Sequence, residues 1–259
     1  MERSVHITNP DRVLFPEIGL TKGEVVEYFA AVGDGILAAV RERPCMLQRR
    51  VGDETFFQRR VPNGVPEWVQ SDAGMLCPTE PAVIAWAANL GTLTFHPWAA
   101  RRGSGGRPDR MVIDLDPQPG TEWADLARVA FAVRDLLDDR GLTGFPKTSG
   151  GRGVHVCVPI EPRGTYEEAH GELLAIGREL ARRMPDEVTV ERLKRDRGAR
   201  IYVDSVMTTA SAYSIRPTPR ATVSAPVTWD ELPVVRPEDF DVRTMPARFA
   251  AVGDLHAEV

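Results

Sequence analysis

Two aspartates stand one residue apart inside an apolar run, Met111-Val112-Ile113-Asp114-Leu115-Asp116-Pro117, and an extended backbone would sort them onto a single face. Successive strand side chains point to opposite sides, so Met111, Ile113 and Leu115 form an apolar underside while Val112, Asp114 and Asp116 share the other face. Neighbouring carboxylates repel, and each tends to keep its proton unless a cation lies between them; a divalent metal is the natural occupant. Pro117 removes a ladder donor and ends the strand, leaving Asp116 at an open end that substrate can reach.

A chain of 259 residues with 42% hydrophobic and 27% charged residues has enough apolar surface for a real core. No apolar run approaches the roughly 18 residues of a membrane span, and the N-terminus, Met1 to His6, lacks an apolar leader, so a cytoplasmic protein with no membrane partner is expected. Cys45, Cys77 and Cys157 are far apart and outside any CxxC spacing, which argues for reduced core cysteines. Only Lys22, Lys147 and Lys194 are lysines among 32 basic residues, an arginine bias that suits bidentate phosphate contacts and that a GC-rich coding sequence also produces. The net charge of −5 does not by itself suggest a nucleic-acid binder, but the charge is segregated. Arg41–Arg60 carries a net +3 and Arg192–Arg200 a net +4, against −5 for Asp114–Asp139 and −4 from Asp230 onward. The basic segments put Arg59 and Arg197 among the candidate DNA contacts.

Thr21 with Glu24 is a capping box opening a helix near Lys22, which Gly33 and Gly35 interrupt. Arg43–Arg60 reads as a hairpin around Gly52-Asp53 that carries Phe56 and Phe57; one of these adjacent aromatics is expected in the core and the other exposed as a stacking platform among arginines. Thr79-Glu80-Pro81 opens a second helix closed by Gly91, and a strand follows with Thr92, Thr94 and His96 on one face. Thr121 caps a long helix ending at Gly141, and Thr165 with Glu168 opens another that runs to about Met184. Val154, Val156 and Val158 face a core opposite His155, and Ile201 and Val203 do so opposite Asp204. Beyond Arg216 the prolines predict a surface wrap with a short amphipathic piece near Arg248–Val252. Four strands thus share one pattern, an apolar face backed by His96, by Asp114 with Asp116, by His155, or by Asp204. An α+β fold of mixed or antiparallel sheet, helices on one face and a polar cleft on the other, would bring these groups together.

Three carboxylates, Asp114, Asp116 and Asp204, are what a two-metal phosphoryl-transfer site requires. The stretch Lys147-Thr148-Ser149-Gly150-Gly151-Arg152-Gly153-Val154-His155 adds a glycine turn whose N–H groups, with the Ser149 hydroxyl, the Arg152 guanidinium and the His155 imidazole, suits phosphate oxygens. A strand follows it rather than a helix, so it is not a Walker loop. No cysteine or histidine lies at zinc-ligand spacing.

These residues resemble the primase-polymerase domain of bacterial ATP-dependent DNA ligase D and its stand-alone relatives, within the archaeo-eukaryotic primase superfamily. The similarity runs from about Val5 to Val252 and rests on Thr8 to Pro16, Thr21-Lys22-Gly23, Phe56-Phe57-Gln58, Asn89-Leu90-Gly91, His96-Pro97-Trp98, Asp109 to Pro117, Lys147 to His155, and Tyr213-Ser214-Ile215-Arg216. It implies the primase-polymerase fold as a single domain over 1–259, with an N-terminal part to about 105, an acid-bearing sheet over 106–216 and a wrap over 217–259. It also implies a monomeric, nucleoid-associated nucleotidyltransferase that uses Mn²⁺ or Mg²⁺ to add ribonucleotides or deoxyribonucleotides, with ribonucleotides preferred, at short gaps or broken ends of double-stranded DNA bearing a 5′ phosphate. A separate DNA ligase and the Ku end-binding protein would be its partners. By the same resemblance, Asp114, Asp116 and Asp204 would be catalytic and hold the metals, and His96, Ser149, Gly150, Arg152, His155 and Arg216 would bind the incoming nucleotide. Arg12 and Lys22 would grip the 5′ phosphate, and Phe56 and Phe57 would stack near the template base. Gln48 and Arg152 stand where relatives often carry lysine, and the link from Asp204 to Arg216 is short. Two other readings are a DNA-end-binding accessory protein without polymerase activity and a DxD glycosyltransferase, which would have no use for Asp204.

Overall fold

The computed structural model describes residues 3–62 and 64–259; Met1 and Glu2, at the start of the segment read above as lacking an apolar leader, lie outside it. A small hairpin, β1 (Val13–Phe15) and β2 (Leu20–Thr21), leads into α1 (Lys22–Ala31) and α2 (Gly33–Val40). The Thr21–Glu24 capping box forms in both directions, which fixes where α1 begins. Gly35 permits close packing, since a Cβ there would lie 2.6 Å from the Tyr213 ring.

The first sheet contains β3 (Cys45–Val51), β4 (Glu54–Gln58), β5 (Ser71–Asp72) and β6 (Met75–Leu76), and after α3 (Pro81–Asn89) it gains β7 (Thr92–Pro97). β3 is its centre, pairing antiparallel with β4 on one side and β7 on the other. The second sheet begins with β8 (Arg110–Pro117), followed by α4 (Trp123–Asp138), β9 (Phe145–Thr148), β10 (Val154–Pro159), α5 (Tyr166–Arg183), β11 (Val188–Thr189) and β12 (Ile201–Asp204). Its order is β11-β12-β8-β10-β9, antiparallel apart from the parallel β11–β12 pair. The fold is α+β. Helices α4 and α5 cover one face, burying Leu126, Val133, Leu173 and Ile176 against Ile113, Leu115, Val154, Val156 and Val203. The polar side chains are thereby left on the opposite face, as the alternation predicts. The cap of α4 is Glu122, reciprocally bonded with Asp125, rather than Thr121, whose hydroxyl instead donates to Gln118 O.

The chain beyond Arg216 departs from the expected surface wrap. Ala221, Val223, Ser224 and Ala225 are fully buried, because residues 211–226 run between the two sheets. Ser211 N and Ile215 N donate to Phe95 O and Leu93 O of β7, Tyr213 N and Ser224 N–H groups close a pairing between 213–214 and 224, and Thr148 N of β9 donates to Ala225 O. A continuous hydrogen-bonded path therefore joins β7 to β9. The remainder passes through α6 (Met245–Val252) to Val259 and keeps Leu232, Phe240, Val242, Met245 and His256 buried. The three cysteines are free and buried, and no helix among the described residues is long and apolar enough to cross a membrane.

Candidate active site

Register brings the polar face together. In the second sheet Asp204 lies opposite Asp114, Asp114 opposite His155, and His155 opposite Lys147, so four side chains form one row across β12, β8, β10 and β9. Asp116 is two residues along β8 on the same face, opposite Tyr202. Burial, then the charges of Asp116 and Asp204, raises the Asp114 carboxyl to about 7.

The far end of the row fixes the histidine. Lys147 is buried, and its ammonium lies 2.6 Å from His155 Nδ1, 2.9 Å from Ala210 O and 2.6 Å from Ser224 Oγ. An ammonium only donates, so its three N–H groups meet three acceptors and His155 Nδ1 must accept. The proton then resides on Nε2, which lies 3.5 Å from Asp114 Oδ1. Burial lowers the Lys147 pKa to about 8 and, aided by Lys147 and Arg216, holds His155 well below the usual imidazole range.

Ser149 to Gly153 form the turn between β9 and β10. Ser149 Oγ accepts from Gly151 N and Gly153 N, both at 3.1 Å, which leaves its hydroxyl hydrogen free to donate outward. Gly150 has φ +69°, and a Cβ there would lie 2.5 Å from Arg216 Cγ, so the turn and Arg216 are packed to a tolerance that only glycine allows. Arg152 is exposed at its tip. Across the cleft, β7 presents His96, whose buried Nε2 has no partner among the described residues and whose pKa is pushed down to about 3 by burial and then by Arg216 and Lys147. A neutral imidazole with such a nitrogen can still hydrogen-bond a polar ligand group. Phe57 packs edge-on to His96 at 5.4 Å, and Phe56 sits beneath the Arg49 guanidinium at 5.5 Å. Both phenylalanines are exposed, at 39% for Phe56 and 57% for Phe57, in contrast to the expected division between core and surface. All of β4 but Gln58 is exposed, so neither of its faces is packed into the core.

Arg12 and Lys22 stand together: burial, and then the Arg12 charge, lowers the Lys22 pKa, Lys22 N donates to Arg12 O at 2.8 Å, and Lys22 Nζ donates to Thr8 Oγ1 at 3.0 Å. Arg59 is exposed beyond the hairpin. Arg197 is not a free surface arginine. It is buried, donates to Glu191 O and Arg192 O, lies 3.4 Å from the Tyr202 ring centroid, and points Nη1 to 3.8 Å from Asp116 Oδ2. Sequence reasoning missed Tyr202 and the anchoring role of Lys147. Tyr202 had a signal, since it alternates onto the Asp204 face, where its hydroxyl donates to Asp204 Oδ1 at 3.3 Å.

The donor set of three hard carboxylates, with Asp114 pushed up by burial and then by the other two, suits a divalent cation. In the structure each carboxylate is turned to a protein neighbour, Asp116 to Arg197, Asp204 to Tyr202 and Asp114 to His155. Consequently no three His, Cys, Asp or Glu side chains among the described residues are already gathered as a metal cage.

The family described as LigD, primase-polymerase domain, matches residues 21–256. The chain is 35% identical to the multifunctional non-homologous end joining protein LigD of Pseudomonas aeruginosa over 94% of its own length and 31% of that protein's. The LigD of Mycobacterium bovis is also 35% identical, over 98% of this chain and 37% of the relative. The chain thus spans about a third of the length of these relatives. The solved polymerase domain of Mycobacterium tuberculosis ligase D in complex with DNA superposes with a TM-score of 0.91 at 32% identity, covering 99% of this chain and 98% of that one. This chain belongs to the LigD primase-polymerase domain family.

Proposed function

We propose that this protein is a template-directed nucleotidyltransferase of DNA repair that adds one or a few nucleotides, ribonucleotides preferentially, at short gaps or broken ends. The observation that carries this reading is the registered row Asp204–Asp114–His155–Lys147, with Asp116 beside it and the unpartnered His96 Nε2 facing it. Asp114, Asp116 and Asp204 would hold Mn²⁺ or Mg²⁺, which when bound would neutralise their mutual repulsion and favour ionisation of an attacking hydroxyl. The remaining groups bind and orient. Ser149, the Gly150 turn, Arg152 and Arg216 receive the triphosphate, while the His155 Nε2–H and His96 contribute hydrogen bonds to phosphate or ribose. Phe56 and Phe57 offer ring faces to template bases. Arg12 and Lys22 supply paired cations for a 5′ phosphate.

The names of the relatives support an end-joining context, and a ligase and a Ku-type end-binding protein are the partners proposed with it. Primer extension on a gapped duplex with manganese, comparing wild type with Asp114→Ala, tests the assignment. Loss of incorporation with DNA binding retained is the expected outcome, and equal incorporation by the variant rejects the reading.

A further inference from the structure

A cleft of about 810 Å³ opens at the edge of the second sheet, between α5 and β12, and reaches Asp204. None of the residues so far assigned to nucleotide, template or 5′ phosphate lines it. β11 stops at Thr189, opposite Tyr202, so Val203 and Asp204 have β8 on one side and this cleft on the other. Gly177 brings α5 close, since a Cβ there would lie 3.4 Å from Val203 Cγ1. The next residue, Arg178, is exposed on the cleft wall, as is Arg192, and neither has a carboxylate partner among the described residues. The bonds from Arg197 to the Glu191 and Arg192 carbonyls hold that segment in place. On α5, Tyr166 and His170 stack with centroids 6.4 Å apart and planes 18° apart, and Tyr166 is half exposed. Among the described residues Asp204 is the sole acid on the lining.

The chemistry of the row says what should enter here. In phosphoryl transfer the attacking and leaving oxygens lie on opposite sides of the phosphorus. The proposed triphosphate donors, Ser149, Arg152, His155 and Arg216, cluster on the β9–β10 side of Asp114, so the leaving pyrophosphate belongs there. The attacking oxygen must then approach from the β12 side, where the cleft opens beside Asp204.

Resting on the nucleotidyltransferase reading above, we propose that this cleft seats the 3′-terminal nucleotides of the strand being extended. Arg178 and Arg192 bind its phosphodiesters, and Tyr166 with His170 forms a platform for one of its bases. The bond formed joins the strand's 3′ oxygen to the α-phosphorus. The bond broken is that to the bridging oxygen, which leaves with pyrophosphate, and the hydroxyl proton passes to solvent.

The test uses a gapped duplex with 2-aminopurine as the 3′-terminal base of the upstream strand, titrated with protein in the absence of nucleotide. Wild type should change the probe's fluorescence on binding, and Tyr166→Ala should abolish that change. Arg178→Ala combined with Arg192→Ala should raise the KM for gapped duplex about tenfold at unchanged nucleotide KM. The altered side chains are at least partly exposed, and matching thermal melts establish that the variants fold. Variants that keep the wild-type probe signal and duplex KM overturn the proposal, as does a signal that follows 2-aminopurine placed in the template instead. The fluorescence arm needs no turnover, so a wild type inert with every divalent metal would reject the polymerase reading while leaving the cleft's occupancy separately decided.

Discussion

Asp114 stands at the centre of the row with a carboxyl pushed up to about 7, and its charge is a liability wherever no cation balances it. A carboxyl whose folded-state pKa exceeds its unfolded value binds its proton more tightly when folded. Metal-free protein should therefore lose stability as pH rises from about 4 through about 7, by on the order of 2–4 kcal/mol. Asp114→Asn should remove that loss and melt higher than wild type at pH 8 in chelator, with manganese narrowing the gap; melts of the two proteins that stay parallel from pH 5 to pH 8 would contradict this. Lys147 governs the histidine beside it. Lys147→Met should leave Nδ1 free to carry the proton and should raise the nucleotide KM about tenfold, with the ¹⁵N shifts of His155 reporting the mixed tautomers. A fixed Nε2–H signature in that variant would remove the anchoring role. Asp114, Asp116, Asp204 and His155 could be placed on one face from strand alternation alone. The Lys147 contact was harder to see, because its lysine reads as part of the phosphate turn until the Ser149–Gly153 hairpin sets it opposite His155.

At the scale of elements, local chemistry was legible wherever backbone groups are satisfied within a few residues. The capping boxes at Thr21 and Thr165 form as read, and Gly52 turns the β3–β4 hairpin with φ +64°. Long-range cover was not legible, and the two exposed phenylalanines follow from no element burying either face of β4. That hairpin also brings Gly52 near Arg12, where a Cβ would lie 3.7 Å from Nη2, so the cations proposed for a 5′ phosphate adjoin the hairpin that carries the proposed aromatic platform. Arg12→Ala should cost about tenfold in affinity for a gap bearing a 5′ phosphate and little for one without it. Titrating both duplexes decides this, and an equal loss on the two would assign Arg12 to general backbone contact. Phe57→Ala should weaken binding of a single-stranded template by about 1–3 kcal/mol while preserving the fold, which fluorescence anisotropy can follow.

Over the whole molecule, an acidic chain with a net charge of −5 is expected to hold DNA through local arginine segments, so log Kd should vary linearly with log salt with a slope set by the few phosphates contacted. A salt-independent Kd would show that those segments do not carry the binding. The joining of the two sheets was the least legible part of the fold. Residues 211–226 are broken by prolines and contribute bridges rather than long strands, so neither periodicity nor propensity marks them as core. Their placement has a consequence in time. Each sheet can pair its own strands early, but the strands of His96 and Asp114 are linked only after a segment about a hundred residues further along has threaded between β7 and β9. Refolding should accordingly show secondary structure recovering first and nucleotide affinity later, with the ability to bind substrate acquired in the closing step of maturation.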